Sequence, residues 1–267
     1  MLTSTSPALL VAKFRRPAVP RHVVSRPALV ARLNAGLAAG RPLTLIAAPA
    51  GYGKTTLAAQ WTTQLPQPAA WLTLDEADDD PARFFACFVA ALQTVEPGLG
   101  QAALSLAQAS ATTRSADEWV AGPMAALINE LAELESPLLC ALDDYHLIAD
   151  PRIHAALQFL LDHQPAVFHL LLLTREDPPL ALARLRARGQ LTELRADDLR
   201  FTPAEALTFF NQAMGLALTP EAVATLATRT EGWIASLQLA ALSLQGMEAD
   251  AAADFIEIGR ASCRERV

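Results

Sequence analysis

A chain of 267 residues with 52% hydrophobic side chains is long enough for one large buried core and a smaller appendage. Its formal net charge of −7 excludes a clamp on nucleic acid by the chain as a whole, because phosphate binding requires a basic face. The longest apolar run, "FFACFVAAL" from Phe84, is nine residues against the ~18 that suggest a bilayer span, so no membrane segment is expected.

The N-terminus "MLTSTSPALLVAKFRRP" lacks the basic start and sustained apolar centre of a secretory signal, which makes cytoplasmic residence the expectation. Cys87, Cys140 and Cys263 lie far apart in sequence and read as structural thiols. From residue 41 onward, short apolar runs alternate with longer helical patterns. Strands are predicted at Leu43–Ala48, Ala70–Leu74, Leu138–Leu142, Phe168–Thr174 and Leu191–Arg195. Helices are predicted at Thr55–Gln64, Pro81–Thr94, Ala116–Glu133, Pro151–His163 and Pro179–Arg188, and "QAALSLAQASATTRS" reads as a mobile connection or a weak helix. This alternation predicts an α/β fold, a five-stranded parallel sheet flanked by helices. Beyond Arg200 the strand signals stop. "TPAEALTFFNQAM", "TPEAVATLATRT" and "EGWIASLQLAALSL" each begin with a capping or acidic residue and continue with helical spacing, predicting a small all-helical domain.

The most informative stretch is "LTLIAAPAGYGKTTLAAQW", Leu43 to Trp61: an apolar strand, a loop with two glycines, then a helix. Such a loop aims backbone N–H groups at one point, where the helix dipole also favours negative charge, so phosphate is its natural guest. The spacing is A-x-x-x-x-G-K-T, with Ala48 where glycine is usual. Gly51 and Gly53 let the backbone curl around the phosphates, with Tyr52 and Thr56 in the same loop. Lys54 reaches the β- and γ-phosphate oxygens and Thr55 offers a hydroxyl to Mg²⁺. "PLLCALDDYH" supplies the partner strand. Asp143 is placed to hold Mg²⁺, directly or through water, and Asp144 to orient or deprotonate an attacking water. "VFHLLLLTRED" ends in Thr174 and Arg175, and Arg175 is placed to sense a third phosphate, the alternative being a surface arginine paired with Glu176 or Asp177. "LDEADDD" from Leu74 reads as a cap for the next helix, His146 as a packing or capping histidine, and "ARLRARGQ" as a solvated helix face.

With these residues in place, the chain resembles the nucleotide-binding module of the MalT-like group, the large ATP-dependent LuxR-type transcriptional regulators of the STAND class of signalling ATPases. The resemblance rests on "VVSRPALVARL", "APAGYGKTTLAAQW", "WLTLDEADDDPARFFACFVAAL", "SPLLCALDDYHLIADPRIHAALQFLLDHQP", "LLLLTREDPPLALARLRARGQLTEL", "LRFTPAEALTFF" and "EGWIASLQLAALSL". It implies a P-loop NTPase core at 41–200, preceded by an N-terminal segment at 1–40 and followed by a helical lid at 201–256. By the resemblance, Val24 and Arg26 fall in the adenine-side motif, Thr174 and Arg175 match the γ-phosphate sensor, and "EGW" falls in the lid. Ile234 stands where related signalling ATPases often carry proline. After "ADFIE" the pattern is lost, so 257–267 is read as a non-native tail and the chain as a truncated regulator.

The function so implied is an ATP/ADP- and Mg²⁺-dependent switch that hydrolyses slowly. The full-length protein is expected to self-associate in its ATP state, and this chain alone to bind no DNA. Two other readings stand beside it. A phosphotransferase or motor-type ATPase would want a basic lid motif for a second substrate, and none is seen. A module that binds nucleotide without splitting it would not need the Asp143–Asp144 pair.

Overall fold

The computed structural model describes residues 10–20, 22–110 and 116–245. The expected tail at 257–267 and the end of the expected lid at 246–256 lie outside these. A 3-10 turn at Val11–Phe14 precedes α1 (Pro27–Ala38), β1 (Leu43–Ala47), α2 (Lys54–Gln64), β2 (Ala69–Thr73), α3 (Pro81–Gln93), α4 (Gln101–Ser110) and α5 (Ala116–Ala132). There follow β3 (Leu138–Asp143), α6 (Pro151–His163), β4 (Phe168–Thr174), α7 (Leu182–Ala187), β5 (Leu191–Arg195) and the short α8 (Ala196–Leu199).

The sheet is parallel throughout, in the order β2-β3-β4-β1-β5. Every position of β1, β3 and β4 is buried, as expected for strands covered by crossover helices on both faces. Alternate residues serve the two faces. Leu43 and Leu45 join the core that contains Phe84, Phe85 and Phe88, whereas Ile46 joins the opposite one around Trp61 and Trp71. Inserting β4 between β1 and β3 places the loop after β1 beside the carboxyl ends of both neighbours: Ala47 is level with Thr174, and the Ala48 N–H donates to the Thr174 carbonyl at 3.2 Å.

The predicted strands agree with the observed ones to within one residue at each end. Two helical segments differ more, for identifiable reasons. "QAALSLAQAS" is a formed helix, α4, with Ala103 and Ala107 buried, because Glu130 of α5 accepts from the Gly100 and Ala103 N–H groups at its start, at 2.6 and 3.4 Å. A cap thirty positions away leaves no local signal. Helix α7 begins three residues later than expected, since the Leu180 and Leu182 N–H groups turn back onto the carbonyls of Pro178 and Leu180.

A second core belongs to α9 (Pro203–Thr208), a π-helical turn at Phe209–Ala213, α10 (Pro220–Arg229) and α11 (Ile234–Leu244). Thr202 and Thr219 cap α9 and α10 in the manner their sequences announce. Phe210, Val223, Leu226, Leu237 and Ala241 close on one another to form this lid's interior.

The acidic "LDEADDD" stretch does more than cap. Asp75 and Asp80 cap the 3-10 turn at Glu76–Asp78 and α3 respectively, as read. Asp78, however, is fully buried and pairs with Lys13 from the N-terminal turn and with Arg83 at 3.1 Å. Removing Lys13 leaves the buried Asp78 with Arg83 as its remaining ion-pair partner, at a cost of about 1–3 kcal/mol. Lys13→Met should therefore lower unfolding stability in urea by roughly that amount, and adding Asp78→Asn should cost less than it does in the parent chain. Additive losses in the double variant would show that the two side chains are not coupled.

Candidate functional site

The loop between β1 and α2 bends at Gly51 (φ 79°) and Gly53 (φ 77°), conformations that side chains with a Cβ rarely adopt. It leads into the start of α2, where Lys54 is 8% exposed and donates from Nζ to the Ala48 and Pro49 carbonyls at 2.7 and 3.0 Å. Burial holds the Lys54 pKa below its ordinary value; Arg175 acts in the same direction, against Asp144 and Asp143.

The Thr55 hydroxyl donates to Asp143 Oδ1 at 3.1 Å, which joins the loop to the end of β3 across the intervening strand position. Asp143 is 3% exposed, and its pKa is pushed up to about 6 by burial and then by Asp144, against hydrogen bonds from Thr55 and from the Asp144 N–H. A buried carboxylate in this condition, with a hydroxyl beside it, suits a divalent cation. The donor set of one carboxylate and one hydroxyl fits Mg²⁺ completed by phosphate and water oxygens. Among the described residues no cluster of three or more His, Cys, Asp or Glu side chains forms a metal cage.

Asp144 adopts a left-handed backbone (φ 59°), and its side chain is 40% exposed. The buried Tyr145 bonds His154 at 2.7 Å and anchors the following 3-10 turn. His146, read from sequence as a packing or capping residue, stands at the site. Its Nδ1 lies 3.9 Å from Asp144 Oδ1, and burial, followed by Arg175, keeps its pKa below the ordinary histidine value. Arg175 is exposed at the end of β4 and has no ion pair among the described residues. The expected surface alternative, pairing with Glu176 or Asp177, is not what is seen: Asp177 is taken by Arg186 and Arg195.

Next to the loop lies a cavity of about 380 Å³, walled by Val24 and Arg26 of the N-terminal segment, by Tyr52, Gly53, Thr56 and Gln60, and by Phe201, Phe209, Met214, Ile234 and Gln238 of the lid side. The structure thus brings Val24, Arg26, Tyr52, Gly53 and Thr56 to one chamber, and Ala48, Lys54, Thr55, Asp143 and Asp144 to its loop end. Arg26 lines the chamber but spends its N–H groups elsewhere. They donate to the Leu199, Asp198 and Arg200 carbonyls at 3.0, 3.1 and 3.0 Å, and Nε faces Glu205 of α9 at 2.6 Å, off the line of a hydrogen bond. The guanidinium also lies 5.0 Å from the Phe201 ring centroid. This residue braces the hinge between core and lid.

The lid rests on the loop itself. Trp233 Nε1 donates to the Ala50 carbonyl at 3.2 Å, the Ala235 N–H donates to the Gly51 carbonyl at 3.1 Å, and the Tyr52 and Trp233 rings stack at 6.2 Å. Sequence reading placed "EGW" in the lid but did not foresee this seat, nor Gln60, Gln238 and His146 at the site. Gln60 was accessible to a closer reading, since it lies one helical turn past Thr56 on the same face of α2.

Two of the three arginines of "ARLRARGQ" face acids: Arg184 pairs with Asp162, and Arg186 with Glu193 at 2.8 Å, while Arg188 is exposed. One arginine without an acid makes no basic patch, in line with the solvated helix face expected. No described helix is long and apolar enough to cross a membrane.

The fold and site have relatives. The HTH-type transcriptional regulator MalT of Yersinia enterocolitica is 40% identical over 235 residues, which is 88% of this chain and 25% of that protein. This chain therefore spans about a quarter of the length of that curated relative. Among solved structures, a Walker-type ATPase of Pyrococcus abyssi superposes with a TM-score of 0.55 at 13% identity, over 94% of this chain and 76% of that one. Cdc6p of Pyrobaculum aerophilum superposes with a TM-score of 0.51 at 16% identity, over 92% and 66%. Residues 22–173 match the model of the AAA ATPase domain and contain the glycine loop, the Asp143 strand and most of the β4 strand, so this chain belongs to the AAA ATPase domain family.

Proposed function

We propose that this chain is the ATP-binding, slowly hydrolysing switch module of a MalT-type transcriptional regulator. The observation that carries the reading is the Thr55–Asp143 hydrogen bond at 3.1 Å, which assembles the two metal-side groups at the mouth of a loop already covered by a lid. The adenine and ribose occupy the chamber, the loop amides and Lys54 take the phosphates, and Thr55 and Asp143 hold Mg²⁺, which when bound offsets charge on the phosphate oxygens. Asp144 accepts the proton of the water that attacks the γ-phosphorus as the bond to the bridging oxygen of ADP breaks.

Arg175 is exposed and unpaired beside Lys54, and we assign it to the γ-phosphate, the one feature that distinguishes ATP from ADP. ATP then favours a closed lid and, in a full-length protein, self-association; hydrolysis resets it. DNA recognition is assigned to regions other than this module, whose sequence is acidic and whose Arg184 and Arg186 are paired with acids.

The test is a pair of variants measured for both binding and turnover. Lys54→Ala removes a charge-assisted contact worth about 1.5–3 kcal/mol, so ATP affinity by calorimetry should fall about tenfold or more. Asp144→Asn should leave binding in place and slow phosphate release by roughly 10²–10⁴-fold. Unchanged affinity in the first variant would remove the site assignment, and equal loss of binding and turnover in the second would place Asp144 on the metal.

A further inference from the structure

The chamber beside the loop is largely apolar, yet two carboxamides line it. Gln60 comes from α2 on the core side and Gln238 from α11 on the lid side. Neither side chain has a hydrogen-bond partner among the described residues, whereas the guanidinium of Arg26 is committed to the hinge carbonyls and Glu205. Tyr52 and Thr56 belong to the phosphate end of the chamber. Gln60 lies four residues beyond Thr56, about 6 Å further along the helix axis and on the same face. On α11, Gln238 follows Ile234 by one turn, so both face the chamber from the same side of that helix.

We infer that Gln60 and Gln238 are the base-reading residues of this site and make it selective for adenine over guanine, one reading from the core and the other from the closed lid. The inference deepens the nucleotide reading given above and rests on it. A carboxamide offers one donor and one acceptor side by side. Adenine matches this on both of its edges, with the N6 amino donor next to N1 on one side and next to N7 on the other. Guanine does not. A carboxamide can flip to meet its N1–H and O6, but on the other edge N7 and O6 are both acceptors, and a carboxamide there is left with its carbonyl unpaired. The carboxamide on the N6–N7 edge therefore discriminates by itself, and the one on the N6–N1 edge adds affinity without rejecting guanine. Because Gln238 rides on the lid, the wrong base also weakens lid closure, and base identity and lid position become linked equilibria.

The test is ADP and GDP affinity by calorimetry in the presence of Mg²⁺, for the parent chain and for Gln60→Leu, Gln238→Leu and the double variant. One well-formed carboxamide-to-adenine pair discriminates roughly 5- to 150-fold, so the parent should prefer ADP by at least that lower bound. The double variant should bind the two nucleotides within about twofold of each other, since an apolar chamber has no means to tell them apart. Gln238 is exposed and has no hydrogen-bond partner among the described residues, and melting without nucleotide checks that neither Gln238→Leu nor Gln60→Leu carries a folding defect. An ADP preference that survives both replacements would assign base reading to the main chain of the N-terminal segment and overturn the inference. Equal affinity for ADP and GDP in the parent would overturn it while leaving the nucleotide reading intact. Binding of neither would overturn both.

Discussion

The bare backbone of Gly51 and Gly53 is the constraint on which the rest of the site depends. Both residues hold φ near +78°, a region that a Cβ strains, and both have a second reason to lack one. A Cβ on Gly51 would stand 2.6 Å from the Ala235 Cβ and 2.9 Å from Trp233 Nε1, and one on Gly53 would stand 2.9 Å from the Ile234 side chain. The same two glycines therefore curve the loop for phosphate and clear the seat for the lid. Loop and lid share peptide groups, with the carbonyls of Ala50 and Gly51 accepting from the lid. Whatever orders this loop also steadies the lid, and the coupling runs equally in both directions.

Charge is arranged around that loop with few pairs closed. Lys54 rests on carbonyl oxygens, Arg175 has no ion pair among the described residues, and Asp143 is a buried carboxyl that accepts from the Asp144 N–H and the Thr55 hydroxyl and pairs with no cation. Other arginines of this chain find acids, as Arg184, Arg186 and Arg195 do on the surface and the half-buried Arg83 does with Asp78. Pairs settled within the protein in this way help to hold the fold, and the groups at the strand ends stand outside them.

Much of this was legible before the structure. Buried parallel strands read as continuous apolar runs, so β1, β3 and β4 announced themselves, and the loop chemistry of Gly-x-Gly-Lys-Thr together with the acids ending "LLCALDD" located the phosphate end. What stayed hidden was set by contacts distant in sequence. The apolar runs carry no mark of their order, so β4 between β1 and β3 could not be read. The Glu130 cap of α4, the Lys13–Asp78 pair and the brace that Arg26 forms with residues 198–205 each join segments 27 or more positions apart. Arg26 shows the limit well, since the resemblance put it in an adenine-side motif and said nothing of where its donors point, which is to the carbonyls of residues 198–200. Phe209 and Met214 line the chamber through a π-helical turn, whose wider winding breaks the spacing a helical reading assumes.

The central claim is that ligand-bound loop and lid form one cooperative unit, and hydrogen exchange at the Ala235 amide tests it most directly. That N–H donates to the Gly51 carbonyl, so its opening reports the seat rather than the lid's own helix bonds. With saturating ADP and Mg²⁺, exchange at Ala235 should slow in parallel with the amides of Gly51 to Thr56, by a similar factor and over the same range of nucleotide concentration. Slowing confined to the loop, with Ala235 exchanging at its nucleotide-free rate, would contradict the account and make the lid an independent domain that merely lies nearby.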